Sequence, residues 1–223
     1  MLTSLTFSQV GEELAVSGSE DIPVSQSEYV FFTSQQAASL YRITQKTAQY
    51  YIEMGGFTHI PTLLNHLKLQ SPDWCISLTT RTSFQQPVTD VICQAIMRNW
   101  PGTEPKISDI KTCLHEALLN SVIHGNLNLS LADRSIEDFQ LYYRRILNKL
   151  RDERLAQKRI TIMVWKEDDS LTICIADEGE GFSLSQPEHA LDSLSGRGLE
   201  LIKNLAFQRW QQHSNTLFMQ FAL

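Results

Sequence analysis

Three short segments carry residue types able to do chemistry, and they follow one another in this order: Glu116-Ala-Leu-Leu-Asn120-Ser-Val-Ile-His124-Gly125, Asp177-Glu-Gly179-Glu-Gly181-Phe182 and Gly196-Arg197-Gly198-Leu199. Together they supply a carboxylate and an amide on a helix, a carboxylate ending an apolar run, and glycines on both sides of a loop. Glu116, Asn120 and His124 recur at steps of four, which places them on one helix face. An amide oxygen is a hard ligand suited to Mg²⁺, which keeps several waters and takes few protein groups. A carboxylate beside it could orient or deprotonate a nucleophile. The same spacing also describes the solvated polar face of an ordinary helix. Asp177 could accept hydrogen bonds from a purine amino group, with Gly179 and Gly181 letting the backbone approach a ligand closely. Asp and Gly are equally the residues of a plain turn. Gly196 and Gly198 sit at the start of a helical pattern (Leu199, Ile202, Leu205), where unpaired N–H groups suit phosphate and Arg197 adds charge. The polar, aperiodic stretch from Phe182 to Ser195 suits a lid that closes over a ligand.

The elements that must position these groups follow from periodicity. Lys111 to Gly125 predicts an amphipathic helix with Leu114, Ala117, Leu118, Ser121 and Val122 as its inner stripe. Ser108 is a plausible cap for it. Leu171 to Ala176 predicts a strand, and Ile160 to Trp165 its hairpin partner across Lys166–Ser170. Trp74 to Thr80 reads as an edge strand, and Leu217 to Ala222 as the strand that closes the sheet. Phe84 to Asn99 predicts one helix with Val88, Val91, Ile92, Ala95 and Ile96 inward. The expected fold is α/β (α+β): a two-layer sandwich of a mixed sheet with helices on one face, plus a small N-terminal segment.

In this order and spacing, Glu-x-x-x-Asn-x-x-x-His-Gly, Asp-x-Gly-x-Gly-Phe and Gly-x-Gly-Leu resemble the N, G1 and G2 boxes of the superfamily of gyrase, heat-shock chaperone, histidine kinase and mismatch-repair ATPases, the Bergerat fold. The phrase Glu-Ala-Leu-Leu-Asn-Ser-Val-Ile-His-Gly and the Gly-Arg-Gly-Leu close resemble the bacterial anti-sigma-factor serine/threonine kinases in particular. The resemblance covers about residues 73–223. It implies ATP and Mg²⁺ as ligands. It implies Glu116 as general base, Asn120 as the Mg²⁺ ligand and Asp177 as the partner of the adenine amino group. Gly179 and Gly181 would shape the adenine pocket, and Gly196, Gly198 and Leu199 belong to the box that closes over the phosphates. Arg197 would steady phosphate charge, and His124 would lie near the phosphates or under the lid.

The resemblance further implies a signal-transduction kinase acting on transcription. Such a transferase moves the ATP γ-phosphate to Ser or Thr of a protein antagonist, with a sigma factor as a second partner, and is a homodimer. Two alternatives stay open: a non-catalytic ATP-dependent protein-binding switch, and an orphan histidine kinase-type catalytic domain.

The chain departs from the shortest members of that branch in two places. An insert, 126–159, contains a predicted capped helix from Ser135 with Ile136, Phe139, Tyr143 and Ile146 on one side. Its Tyr142, Tyr143, Arg144 and Arg145 are of the types that anchor interfaces. Residues 1–72 form a segment of unassigned role, a dimerisation element or a degenerate regulatory module. In it Tyr29–Phe32 predicts a strand, Gln35–Met54 a helix and Ile60–Leu69 another. No Gly- or Pro-rich linker separates it from the rest, so it is expected to pack against the ATPase segment.

Composition narrows the class. A net charge of −6 argues against direct nucleic-acid binding. Cys75, Cys93, Cys113 and Cys174 lack close pairing and read as buried thiols of a reducing compartment. Neither a membrane-spanning run nor a signal-peptide core is visible, so the expected location is cytoplasmic.

Overall fold

The structure is a computed structural model that describes residues 25–26, 28–55, 59–129, 139–180, 197–210 and 215–223 of the 223-residue chain. Aromatic and β-branched runs build eight strands: β1 (Ser25–Gln26), β2 (Tyr29–Thr33), β3 (Tyr50–Met54), β4 (Trp74–Thr79), β5 (Arg159–Glu167), β6 (Ser170–Asp177), β7 (Phe207–Trp210) and β8 (Thr216–Ala222). They form one mixed sheet in the order β1-β2-β3-β4-β5-β6-β8-β7. Strands β2, β3 and β4 are parallel to one another, and β4 to β8 pair antiparallel.

β4 is therefore central rather than an edge. All six of its residues are buried, which explains why it carries a nearly continuous apolar run. β8 does not close the sheet either, because β7 pairs on its outer side. The parallel β3–β4 pair joins residues 25–72 to the remainder in one sheet. This is the packing that the lack of a linker led one to expect.

Strand alternation sends side chains to two faces. The first face carries the main core, including Val30, Phe32, Trp74, Ile76, Leu78, Ile162, Val164, Ile173 and Ile175. Helices cover it: α1 (Leu40–Thr44), α3 (Thr80–Gln85), α4 (Val88–Asn99), α5 (Ile107–Asn120) and α8 (Arg197–Leu205). The predicted inner stripes hold. Val88, Val91, Ile92, Ala95 and Ile96 of α4 are buried, as are Leu114, Ala117 and Leu118 of α5. The expected single helix from Phe84 is two, because Pro87 forces Gln86 into an extended backbone (ψ 155°) between α3 and α4. Ser108 is not the cap of α5, which starts at Ile107 after a 3₁₀ turn, Glu104–Lys106.

The second face is covered by α2 (Ile60–Gln70). Its Ile60, Leu63 and Leu67 pack on Tyr29, Phe31, Tyr50, Ile52 and Cys75. At about 1.5–3 kcal/mol per buried side chain, this contact is substantial for an eleven-residue helix. Helices on one face thus describes the β5–β8 half of the sheet, whereas α2 adds a layer over β2–β4. The predicted helix over Gln35–Met54 is corrected: a 3₁₀ turn (Gln36–Ser39) leads into α1, and Tyr50–Met54 is β3. Its Tyr-Tyr-Ile run gains more by pairing in a sheet than by helical propensity.

In the insert, α6 (Phe139–Lys149) and α7 (Glu153–Ala156) follow the central helix of the site. The buried face of α6 is Tyr142 and Ile146, followed by Leu150, while Phe139 and Tyr143 are exposed. Ile146 of the predicted stripe is thus buried, but beside it lie Tyr142 and Leu150 rather than Phe139 and Tyr143. Ile136 and the Phe182–Ser195 lid lie outside the described residues. Arg81 of α3 holds the insert, donating to the Leu150 carbonyl at 2.9 Å and to Glu153 at 2.7 Å. All four cysteines are free and buried. Burial pushes the Cys93 and Cys113 thiols up to about 11, so they carry no thiolate at neutral pH.

Ile76 is fully buried on the main core face of β4. Ile76→Ala should lower the unfolding free energy by about 3 kcal/mol. Urea denaturation should show one transition by both circular dichroism and tryptophan fluorescence, because a single sheet spans both regions.

Candidate functional site

α5 does not end at Asn120. The chain widens into a π-helical turn, Ser121–Asn126, in which the Leu127 N–H reaches back five residues to Val122 O at 3.0 Å. Such turns insert an extra residue and redirect the backbone, often at functional sites. Here the wide turn brings Gly125 against the end of β6. A Cβ on Gly125 would lie 2.6 Å from the carboxylate atoms of Asp177. A Cβ on Gly179 would lie 2.5 Å from the Gly125 carbonyl oxygen. Glycine is required at both positions by this close approach.

Asp177 sits in this cleft on the helix-covered face of the sheet. Its carboxylate accepts from the Gly179 N–H at 2.9 Å and from the Ser121 hydroxyl. Its backbone is pinned by Asn215, whose carbonyl accepts from the Asp177 N–H at 3.1 Å and whose side-chain amide donates to the Asp177 carbonyl. Burial raises the Asp177 carboxyl above its ordinary value, and these donors only partly oppose it. A desolvated carboxylate held by fixed donors is primed to gain from a ligand that supplies a further N–H.

Glu116 lies on α5, half-buried, one turn before the half-buried Asn120. A Cβ on Gly198 would collide with the Glu116 carboxylate, so the first turn of α8 closes directly over it. Glu116 and Gly198, far apart in sequence, are therefore brought together. α8 begins at Arg197 and buries Ile202. The backbones of Arg197 and Leu199 belong to that first turn; Gly181 and Gly196 lie outside the described residues. His124 turns back along its own chain, with Nδ1 2.7 Å from the Leu129 carbonyl oxygen.

The residue missed at the sequence level is Asn126, fully buried directly after His124-Gly125. Its amide oxygen accepts from the Glu178 N–H at 2.8 Å. Its NH₂ donates to Thr80 Oγ1 at 2.8 Å and to the Arg159 carbonyl at 2.9 Å. The Glu178 carboxylate in turn accepts from the Arg159 N–H at 2.8 Å. Glu178 and Glu180 are exposed, but Glu178 also ties β5 to the glycine loop. A signal existed in the phrase His-Gly-Asn-Leu, but an Asn after Gly reads as turn chemistry until its three partners are seen.

These residues fit a purine nucleotide. A half-buried acceptor carboxylate, two glycines that let a helix end and a strand end touch, and a helix start lying against the Glu116 carboxylate are brought together by the fold. The family model of the histidine kinase-like ATPase domain matches residues 85–220. The chain belongs to that family. ATP binding is the coarse function this membership supports, and the match spans α4, α5, the π turn, β5, β6 and α8. Strands β1–β4 and helix α2 lie outside it. No curated protein matches the chain. Among the described residues, no helix is long and apolar enough to cross a membrane, and no three His, Cys, Asp or Glu side chains cluster as a metal site.

The raised Asp177 carboxyl has a definite sign in linkage. A group whose folded value is raised stabilises the fold below its unfolded value, ordinarily 3.8, and loses that contribution as pH rises through the folded value. Asp177→Asn removes this loss. The stability of the variant relative to wild type should therefore increase from below pH 3.8 towards neutrality, while its ATP affinity falls. Denaturation curves across that range and calorimetry with ATP would check both. Gly125→Ala should abolish nucleotide binding and cost about 1–3 kcal/mol of stability, measured the same way.

Proposed function

We propose that this protein is an ATP-dependent serine/threonine protein kinase of the anti-sigma-factor type. It would transfer the ATP γ-phosphate to a Ser or Thr hydroxyl of a partner antagonist protein in bacterial signalling. The observation that carries the reading is the contact of Gly198 with the Glu116 carboxylate. It joins the closing helix and the candidate base across the place where phosphates would lie.

The roles follow from the site. Asp177 accepts the adenine amino group, and Gly125 and Gly179 keep the floor low enough for the ring. Asn120 would hold Mg²⁺, which neutralises phosphate charge when bound. The first-turn N–H groups of α8 would bind the phosphates, with Arg197 as the residue that would steady the charge developing on transfer. Glu116 takes the proton of the incoming hydroxyl. Closing α8 over Glu116 excludes water from that proton transfer. The protein partner and a homodimeric assembly are part of the same proposal.

Glu116→Ala should keep ATP affinity and lower transfer by roughly a hundredfold or more, followed with radiolabelled ATP and candidate antagonist proteins. Equal rates in wild type and variant would favour a switch in which ATP only orders a binding surface. Gly198→Ala should stay folded, since the crowded atom ends a flexible side chain, and should lose transfer by displacing Glu116. Light scattering of the full-length protein tests the dimer, and a monomer would remove it from the proposal.

A further inference from the structure

Glu53, on β3, is fully buried, and nothing in a minimal nucleotide site calls for it. Its carboxylate accepts from the Thr79 N–H at 2.7 Å, the Thr79 hydroxyl at 3.2 Å and the Thr82 hydroxyl at 2.7 Å. Thr79 is also the cap of α3, accepting from the Thr82 N–H. Beside it lies Arg159, 2% exposed at the start of β5. The Arg159 guanidinium donates to the carbonyls of Glu53 and Gly55, both at 2.6 Å, and to Ser77 Oγ at 3.2 Å. A buried acidic side chain and a buried Arg therefore lie together where β3 leaves the sheet, Glu53 held to Thr79 and Thr82 by its carboxylate and to the guanidinium by its backbone carbonyl.

The same Arg159 is the backbone anchor of the nucleotide loop. Its carbonyl accepts from Asn126, its N–H donates to Glu178, and Asn126 accepts from the Glu178 N–H. Asn126 follows Gly125, and Glu178 lies between Asp177 and Gly179. A continuous run of hydrogen bonds, buried at the Arg159 guanidinium and at the Asn126 amide and part-buried at Glu178, thus leads from β3 to both sides of the Gly125–Asp177 contact. Buried bonds of this kind resist deformation, because a broken partner finds no water in exchange.

We propose that the Glu53–Arg159 pair makes the N-terminal unit a positioning element of the nucleotide site, with Asn126 as the positioning residue it acts through. The proposal rests on the ATP-binding reading of the site. A shift at the end of β3 moves the carbonyls that hold the Arg159 guanidinium. That movement displaces the start of β5, to which Asn126 and Glu178 are bound. By reciprocity, occupancy of the cleft tightens the N-terminal unit.

The test uses full-length wild type, Glu53→Gln and Asn126→Asp. Mg-ATP affinity is measured by calorimetry, and amide exchange of Glu178 residue by residue by NMR. Exchange at Ile92, in the core of α4 away from the network, reports global stability. Glu53→Gln is expected to weaken ATP binding about tenfold and to speed exchange at Glu178 more than at Ile92. Asn126→Asp, which keeps an acceptor for the Glu178 N–H but loses both donors, is expected to do the same. The double variant is expected to lose less than the product of the two effects.

A folded Glu53→Gln protein with wild-type ATP affinity and wild-type exchange at Glu178 would overturn the inference and leave the pair a structural anchor only. Effects that multiply independently would overturn it too. Should Glu53→Gln not fold, Thr82→Val removes one donor to Glu53 at matched shape and is read by the same two measurements. A wild type that binds no ATP would refute the ATP reading separately, while the comparison of Glu178 with Ile92 still decides the coupling.

Discussion

The site depends on one close approach: Gly125 of the π turn lies against the Asp177 carboxylate, and Gly179 lies against Gly125. With no side chains between them, a helix end and a strand end touch through backbone atoms. That contact sets how closely α5 and β6 approach each other. It also explains why Asp177 tolerates burial. The walls that desolvate it supply the Gly179 N–H and the Ser121 hydroxyl as donors. A side chain at either glycine would separate α5 from β6 and remove the cleft and the carboxylate's partners together.

Holding such a contact requires support from behind. Asn126 supplies it by bonding to Thr80, Arg159 and Glu178 at once. Each of these sits on a different element, so the loop, β5 and the start of α3 are fixed relative to one another. Arg159 then extends the support into the N-terminal unit. The family match covers residues 85–220, so Asn126, Arg159 and Glu178 lie within it, while their partners Thr80 and Glu53 lie before it. Burying Glu53 and Arg159 carries a desolvation cost that their hydrogen bonds offset in part, since the Arg159 Nε is buried without a partner among the described residues.

Much of the half that matches the family was legible in the sequence. The strand ending in Asp177 and the inner stripe of α5 are strong periodic signals, and both appear where the pattern puts them. What was not legible has physical causes. Tyr50–Met54 lay in a mixed polar and apolar stretch whose strand state is decided by pairing with β2 and β4. α6 has a broad apolar side that includes Phe139, Tyr142, Tyr143, Ile146 and Leu147, so which part of it is buried followed from where Tyr142 and Ile146 met the core. The contacts of Gly198 with Glu116 and of Gly125 with Asp177 join residues far apart in the chain, and spacing alone cannot encode them. Asn126 hid because its type is ordinary in turns, whereas its role lies in three long-range partners.

The place of β4 in the middle of the sheet also bears on how the chain is made. Its partner on one side, β3, precedes it closely, but on the other side Thr79 pairs with Arg159, 80 residues later. At about 5–20 residues per second, a ribosome needs roughly 4–16 s to cover that gap. Throughout that interval the β2–β3–β4 unit presents an apolar strand with an unpaired edge. Arg159, which seals the buried Glu53 corner, has not yet been synthesised. An open edge of that kind is a template for wrong pairing. The N-terminal unit that buttresses the finished site is therefore also the part of the nascent chain with most to gain from a chaperone's cover.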